Sequence, residues 1–350
     1  MPVTAIDILN TIRDNSTTDY IARVPSATRD NLSQIGQAIT SNKNIMNDFI
    51  TALINKVALT AIRVRMYNNP LSKLKQGIGR PLGNTIEELF INPATDMGYS
   101  DDNTKLLTTM KPDGKAAYYA LNRQSTYGVT INKNQIQRAF NSERSFMSFY
   151  DGIVASLYSG DQMDEFDLAK GLFAKNIDAN TITLIECDIA SPKDVAKAMS
   201  NISDYFTFPS TGFNGYNLVN ASKITAGEKK VNTFCPLEEQ VLLIRADISN
   251  EINYEVLASM FHMEVAKLKT MTIKIDQFPT VQSSLDTTKK FDTYAVLCDK
   301  EAFQMIDDVF ETDTQYIGSS MQWQFWLHHW QWIYLSLFAD AVAFGKTVVK

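Results

Sequence analysis

Residues Asn47–Phe90, NDFITALINKVALTAIRVRMYNNPLSKLKQGIGRPLGNTIEELF, decide the fold. With Ile45 just upstream, Phe49, Leu53, Ile54 and Val57 share one helical face. Ala61–Tyr67 then alternates apolar and polar, a strand signature. Asn68-Asn69-Pro70 is a turn. From Leu71 to about Ala120 punctuators recur at Gly77, Gly79, Pro81, Gly83, Pro93, Gly98, Pro112 and Gly114. A structureless excursion of that length is out of place inside a compact domain. Ile86, Leu89, Phe90, Ile91, Tyr118 and Tyr119 are too apolar for free disorder. The pattern predicts a two-stranded arm that projects from the body toward another subunit. Its candidate inter-subunit contacts are Asn68, Asn69, Pro70, Lys73, Lys75, Arg80, Pro81, Glu87 and Glu88. The basic members offer salt bridges to acidic groups on a neighbour, and each serves equally well as a solvated surface charge.

No chemistry-bearing motif stands in this stretch. Gly77-Ile78-Gly79-Arg80-Pro81-Leu82-Gly83 lacks the third glycine of a dinucleotide fingerprint, because Leu82 stands there. It also lacks the GK[ST] ending of a phosphate loop.

The chain has 350 residues, enough for one large or two moderate domains. It is 45% hydrophobic and mildly acidic, with 33 Lys and Arg against 39 Asp and Glu. Such a balance exerts no net pull on nucleic acid or an anionic membrane. Cys187, Cys235 and Cys298 are odd in number and far apart, so they read as small hydrophobes of a reducing compartment. The start, MPVTAIDILNTIRDN, has no signal-peptide pattern. Gln331 and Asp340 break the most apolar tract below spanning length. The expected place of synthesis is a cytoplasm, with no membrane partner.

Residues 1 to about 45 read as short helices in an arm only partly packed on its own subunit. Phe146, Phe149, Tyr150, Ile153, Val154, Leu157 and Tyr158 form one apolar stripe, which predicts a long helix from Asn134 to about Ser159. Gly160 and Asp161 are expected to interrupt it, with a second piece through Phe166, Leu168 and Leu172. Strands are expected at Thr181–Cys187, Val241–Ala246, Met271–Ile275 and Tyr294–Cys298, and helices from Pro192, over Tyr254–Lys269 and through Phe303, Ile306 and Val309. Strands and helices alternate irregularly, an α+β pattern.

Three constellations invite a chemical reading. Trp323, Trp326, Trp330 and Trp332 resemble a stacking platform, but no Arg or Lys lies between Met321 and Phe344 to meet a phosphate backbone. A buried strand with large side chains on both faces is preferred. His328 and His329 point to opposite faces of such a strand, which argues against a shared metal. Asp161, Asp164, Glu165 and Asp167 match no calcium-loop spacing and read as a solvated segment. No catalytic, cofactor-binding or metal residue is assigned.

The segments NDFITALI, NNPLSKLKQG and PLGNTIEEL are similar to the major capsid proteins of phi29-like short-tailed phages. NYEVLASMFHM (253–263), YAVLCDKEAF (294–303) and WQWIYLSLFADAVAF (330–344) resemble later parts of that family in the same order. The resemblance implies an HK97-type α+β capsid fold. Residues 1–62 would be the N-terminal arm, 63–130 the extended loop, 131–190 and 290–350 the peripheral domain, and 191–289 the axial domain. It implies self-assembly through pentamers and hexamers into an icosahedral or prolate shell around double-stranded DNA, which the shell touches weakly and non-specifically. A scaffolding protein and a portal (connector) would be partners, with no cofactor, and the virion would be the location. The immunoglobulin-like domain that some relatives carry is expected to be absent. The competing class is a cytoplasmic, hydrolase-like enzyme of unknown substrate, using a Ser or Asp with one of the three histidines.

Overall fold

The computed structural model describes residues 4–60, 67–75, 83, 85–94, 96, 111–187, 192–252, 271–282 and 289–349. The expected strand over Ala61–Met66, the glycine-rich run 76–82 and the expected helix over Tyr254–Lys269 lie outside them. The chain begins with helices α1 (Ala5–Asp14), α2 (Thr18–Arg23), α3 (Leu32–Ser41) and α4 (Lys43–Thr60). Strands β1 (Thr85–Ile91), β2 (Gly114–Ala120) and β3 (Arg123–Asn132) follow, then helices α5 (Lys133–Ala139) and α6 (Glu143–Asp178). Next come β4 (Thr183–Glu186), α7 (Pro192–Phe206), the short helices α8 (Gly215–Val219) and α9 (Ala221–Thr225), β5 (Gln240–Arg245), α10 (Ala246–Glu251), β6 (Thr272–Ile275) and β7 (Val281–Gln282). The last strands are β8 (Lys289–Asp299), β9 (Phe303–Ile317), β10 (Gln322–Leu335) and β11 (Ala341–Val349). The chain divides into two compact units, one of residues 1–69, 123–165 and 307–331, the other of 70–122, 166–306 and 332–350.

In the first unit the N-terminal helices are core, which corrects the expected loose arm. A Thr4–Asp7 capping box starts α1, closing two of the helix's free N–H groups. Ile8, Ile12, Tyr20, Ile35 and Ile39 are buried in one cluster with Ile45, Phe49 and Leu53 of α4 and Phe140 and Phe146. Helix burial of an apolar face, rather than propensity, makes such short helices stable.

Helix α6 runs unbroken for 36 residues, through Gly160 and Asp161. A single mid-helix glycine costs only about 1 kcal/mol, which the buried stripe Phe146, Ile153 and Leu157 outweighs. The expected helix at Phe303–Val309 is also corrected. It is strand β9, in a sheet of order β3-β10-β9. Ladder pairing and β-branched or aromatic residues such as Val309, Phe310 and Thr312 prevailed over a three-residue apolar spacing.

Strand β10 carries the aromatic tract. Trp323, Phe325, Leu327, His329 and Gln331 are buried in strict alternation, and from Trp332 to Leu335 both faces are buried. Opposite Trp326 stands Gly128, where an added Cβ would lie 2.7 Å from the indole ring. The glycine therefore makes room for the cross-strand ring.

The second unit is built on a sheet of order β4-β11-β8-β5-β6. Its central members read as continuous apolar runs, Val241–Ile244 and Tyr294–Cys298, because both faces are covered. Cys298 lies within this run, and burial pushes its thiol up to about 12. A bulge separates Phe344 from Gly345 in the β11–β8 pairing. Any Cβ at Gly345 would meet the Asp292 carbonyl at 2.3 Å, so only glycine permits that approach.

Candidate functional site

Strands β1 and β2 pair antiparallel, with Glu87 opposite Tyr118 and Leu89 opposite Ala116. Their alternation gives the pair two unlike faces. One packs on its own unit: Tyr119 stacks on Tyr334 at 3.8 Å, and Phe90 stacks on Phe338 at 5.5 Å. The Leu337 N–H donates to Tyr119 Oη at 2.9 Å, and Ser336 Oγ to Glu88 Oε1 at 2.6 Å. Lys115 Nζ, at the base, is 2.9 Å from Glu228. The expectation of a two-stranded element is met, but its described part lies against the body rather than projecting. The other face leaves Leu89 64% and Tyr118 66% exposed. Mostly exposed apolar side chains on a pinned strand pair make this face the candidate binding surface.

The remaining residues of the expected contact set divide. Asn68, Lys73 and Glu87 are exposed, Pro70, Lys75 and Glu88 are half-buried, and Asn69 is buried. Tyr118 Oη donates to Glu87 at 2.9 Å, and Asn69 Nδ2 donates to Glu165 Oε1 at 2.9 Å. Arg80 and Pro81 lie outside the described residues.

Of the acidic run expected to be solvated, Asp164 and Asp167 are exposed, but Asp161 and Glu165 stand at the centre of a buried polar network, which is a correction. Asp161 and Glu165 are fully buried. They continue the Ile153–Leu157 spacing of four, so they occupy the inward face of α6. Arg123, at the start of β3, reaches both: its NH2 lies 2.7 Å from Asp161 Oδ1 and its NH1 3.5 Å from Glu165 Oε2. NH2 also donates to Tyr127 Oη at 3.1 Å, and Tyr127 in turn donates to Asp164 at 2.8 Å. Gln331 Oε1 accepts from Arg123 NH1, which fixes the amide so that Nε2 donates to Glu165 at 2.7 Å and Asp307 at 2.6 Å.

His329 completes the network. Nδ1 lies 2.7 Å from Asp161 Oδ1 and Nε2 lies 3.1 Å from Asp307 Oδ1. Both ring nitrogens face acceptors, which calls for the doubly protonated imidazolium. Burial pulls the pKa down, but the two carboxylates outweigh it and the net shift is upward from 6.5. Ligand atoms of Glu165, Asp307 and His329 also lie within 4.8 Å of one another, a spacing compatible with a metal ion. The Gln331 amide hydrogens fill the space between those carboxylates, so the arrangement reads as a hydrogen-bonded charge network. His328 does diverge from His329, as strand geometry requires, and sits 3.1 Å from Thr126 Oγ1. The alternation of Trp323, Phe325 and Leu327 was the sequence signal that places His329 and Gln331 inside.

A pH dependence follows with a definite sign. A group whose pKa is raised on folding adds stability at low pH and loses it as pH rises through the folded value. His329 faces Asp161, Asp307 and Arg123. Urea midpoints are expected to fall as pH rises above about 6.5. His329→Gln is expected to lower stability at pH 6 and to flatten that limb. An unchanged slope would show that folding does not shift the His329 pKa.

Comparison with known proteins gives a consistent answer. Residues 9–345 match the family described as Phi29-like phage major capsid protein. The major capsid protein of Bacillus phage PZA is 30% identical over 345 residues, covering 97% of this chain and 72% of that protein. That of Streptococcus phage Cp-1 is 28% identical over 293 residues, covering 79% and 76%. Among solved structures, the capsid of Staphylococcus phage Andhra superposes with a TM-score of 0.62 at 13% identity, over 80% of this chain and 85% of its own. That likeness carries the fold, an HK97-type phage capsid fold.

Proposed function

Because the chain belongs to the Phi29-like phage major capsid protein family, we propose that it closes a shell by placing the exposed face of β1 and β2 against a neighbouring copy. It is a structural protein of the phage capsid and not an enzyme. The observation that carries the contact is the pairing of an anchored inner face with an apolar outer face, Leu89, Ile91 and Tyr118. Burying such area drives association, and neighbouring charges set register. Asn68, Lys73 and Glu87 are the exposed members of the proposed contact set, with Pro70, Lys75 and Glu88 half-buried; Asn69 is buried and bonded to Glu165. Arg80 and Pro81 complete the set as sequence-level candidates.

The copies form pentamers and hexamers, since closed symmetry is what ends growth of a shell. Residues 1–62, 63–130, 131–190 with 290–350, and 191–289 act as N-terminal arm, extended loop, peripheral domain and axial domain. A scaffolding protein and a portal join during assembly in the host bacterial cytoplasm, and packaged DNA meets an acidic protein that does not grip it. Among the described residues no helix is long and apolar enough to cross a membrane.

The test is electron microscopy of the protein expressed alone and with the scaffolding protein of its phage. Closed shells, or open sheets of pentamers and hexamers, are expected. A discrete dimer or tetramer under every condition overturns the proposal.

A further inference from the structure

A cavity of roughly 450 Å³ opens beside β1 in the second unit. Four carboxylates line it, Glu88, Asp299, Glu301 and Asp340, and none of its lining residues is Lys or Arg. Acidic residues alone are ordinary surface, but two acceptors here are unusual. Gln304 is 7% exposed, and its Oε1 has no hydrogen-bond partner, although its Nε2 donates to the Glu301 carbonyl at 2.6 Å. Glu88 Oε2 is likewise enclosed and makes no close hydrogen bond, although the Tyr119 hydroxyl interacts with this carboxylate, while Oε1 accepts from Ser336. Buried acceptors left unpaired cost free energy, so each calls for a donor. Asp340 Oδ1 accepts one bond, from Thr233 Oγ1 at 2.6 Å, and burial pushes its carboxyl up to about 6. Burial raises the Asp299 carboxyl as well. The cavity thus gathers negative charge and lone pairs with too few donors.

We propose that this cavity is a socket for a lysine side chain of an adjacent copy in the shell. The mouth fits the stem of that side chain: Leu89 is 64% and Phe234 60% exposed at the cavity wall. Aliphatic stems lie along apolar walls while the charged head seeks polar groups. Acceptors from three separate places, the amide of Gln304 and the carboxylates of Glu88 and Asp340, suit an ammonium with three rotatable donors better than a planar guanidinium fork. A bare metal ion fits less well. Among the described residues the only trio of His, Cys, Asp or Glu whose ligand atoms all lie within 4.8 Å of one another is Glu165, Asp307 and His329, so no three of the cavity's carboxylates converge on a point. The socket rests on the shell reading above, because it needs a second copy beside β1.

The experiment uses shells co-assembled from isotopically light and heavy full-length chains. A carbodiimide joins a carboxylate to a lysine amine with loss of water, and peptide mass spectrometry reads which residues are joined. Isopeptides of mixed isotope, linking Glu88, Glu301 or Asp340 to a lysine, are expected. Asp340→Asn shells are expected to lose about tenfold in yield at Glu301, as a desolvated pair loses one partner. The same variant is expected to leave the dissociated subunit at least as resistant to urea as the parent, because it removes a buried carboxylate that has too few donors. Intact shells whose cavity carboxylates give no mixed-isotope link overturn the socket and leave the shell reading standing. Failure to form any shell overturns the shell reading and the socket with it. An Asp340→Asn subunit that is markedly weaker by urea would show that the carboxylate serves the subunit's own fold, which also overturns the socket.

Discussion

Replacing Arg123 by methionine is expected to cost the subunit about 3–5 kcal/mol, the loss seen when one partner is taken from a buried ion pair. Arg123 is 3% exposed. It stands between Asp161 and Glu165 and also holds Gln331 and Tyr127. Methionine fills most of the volume, so the penalty comes from charge. Two carboxylates would remain on the inward face of α6 with only the His329 imidazolium beside Asp161 to balance them, and desolvation would force proton uptake or water entry. Arg123→Lys is expected to recover only part of the loss. One ammonium cannot match donors that reach two carboxylates, an amide and a phenol in different directions. Combining Arg123→Met with Asp161→Asn should cost less than the sum of the single changes, because the second change removes the charge the first one strands. Urea unfolding of the dissociated subunit measures all three. An Arg123→Met loss below about 1 kcal/mol would mean the network is hydrated and worth no more than a surface pair.

The double change Leu89→Asp with Tyr118→Asp is expected to abolish shells while leaving the subunit folded. Both side chains are mostly exposed in the subunit, and exposed substitutions usually move stability by no more than about 0.5 kcal/mol. In a closed shell the same positions would be desolvated. Each copy would then bury two unpaired carboxylates, at a few kcal/mol apiece. A cost repeated in every copy leaves no tolerant site in the lattice. Circular dichroism and urea midpoints close to the parent, together with empty fields in electron microscopy, are the expected pair of results. Normal shells in normal yield would move the contact elsewhere on the subunit.

What the residues disclosed in advance follows from how local each signal was. The stripe from Phe146 to Tyr158 spans several turns, and α6 is there. The aromatic tract from Trp323 read as a buried strand with large side chains on both faces, and β10 is there. Segment similarity scattered from residue 47 to 344 pointed to a capsid fold before any sheet order was known. The failures were polar or non-local. Asp161 and Glu165 were read by residue type, as solvated acids, when their spacing from Ile153 and Leu157 already placed them inward. Nothing local announces that Arg123, some 38 positions upstream of Asp161, is the matching cation. Phe303–Ile317 became a strand because β10 offered it a partner, and pairing of that kind is invisible to a short window. The packing of the N-terminal helices against Phe140 and Trp323 is likewise a long-range property.

The position of β11 has a consequence for timing. It follows the other described strands of its sheet in chain order, yet it lies inside that sheet, parallel to β4 on one side and antiparallel to β8 on the other. A nascent chain that has not yet released residues 341–349 from the ribosome therefore leaves the facing edges of β4 and β8 without the partner they have in the finished sheet. Unpaired strand edges of that kind are templates for pairing with another chain. The sheet is therefore complete only once residues 341–349 have taken their place between β4 and β8.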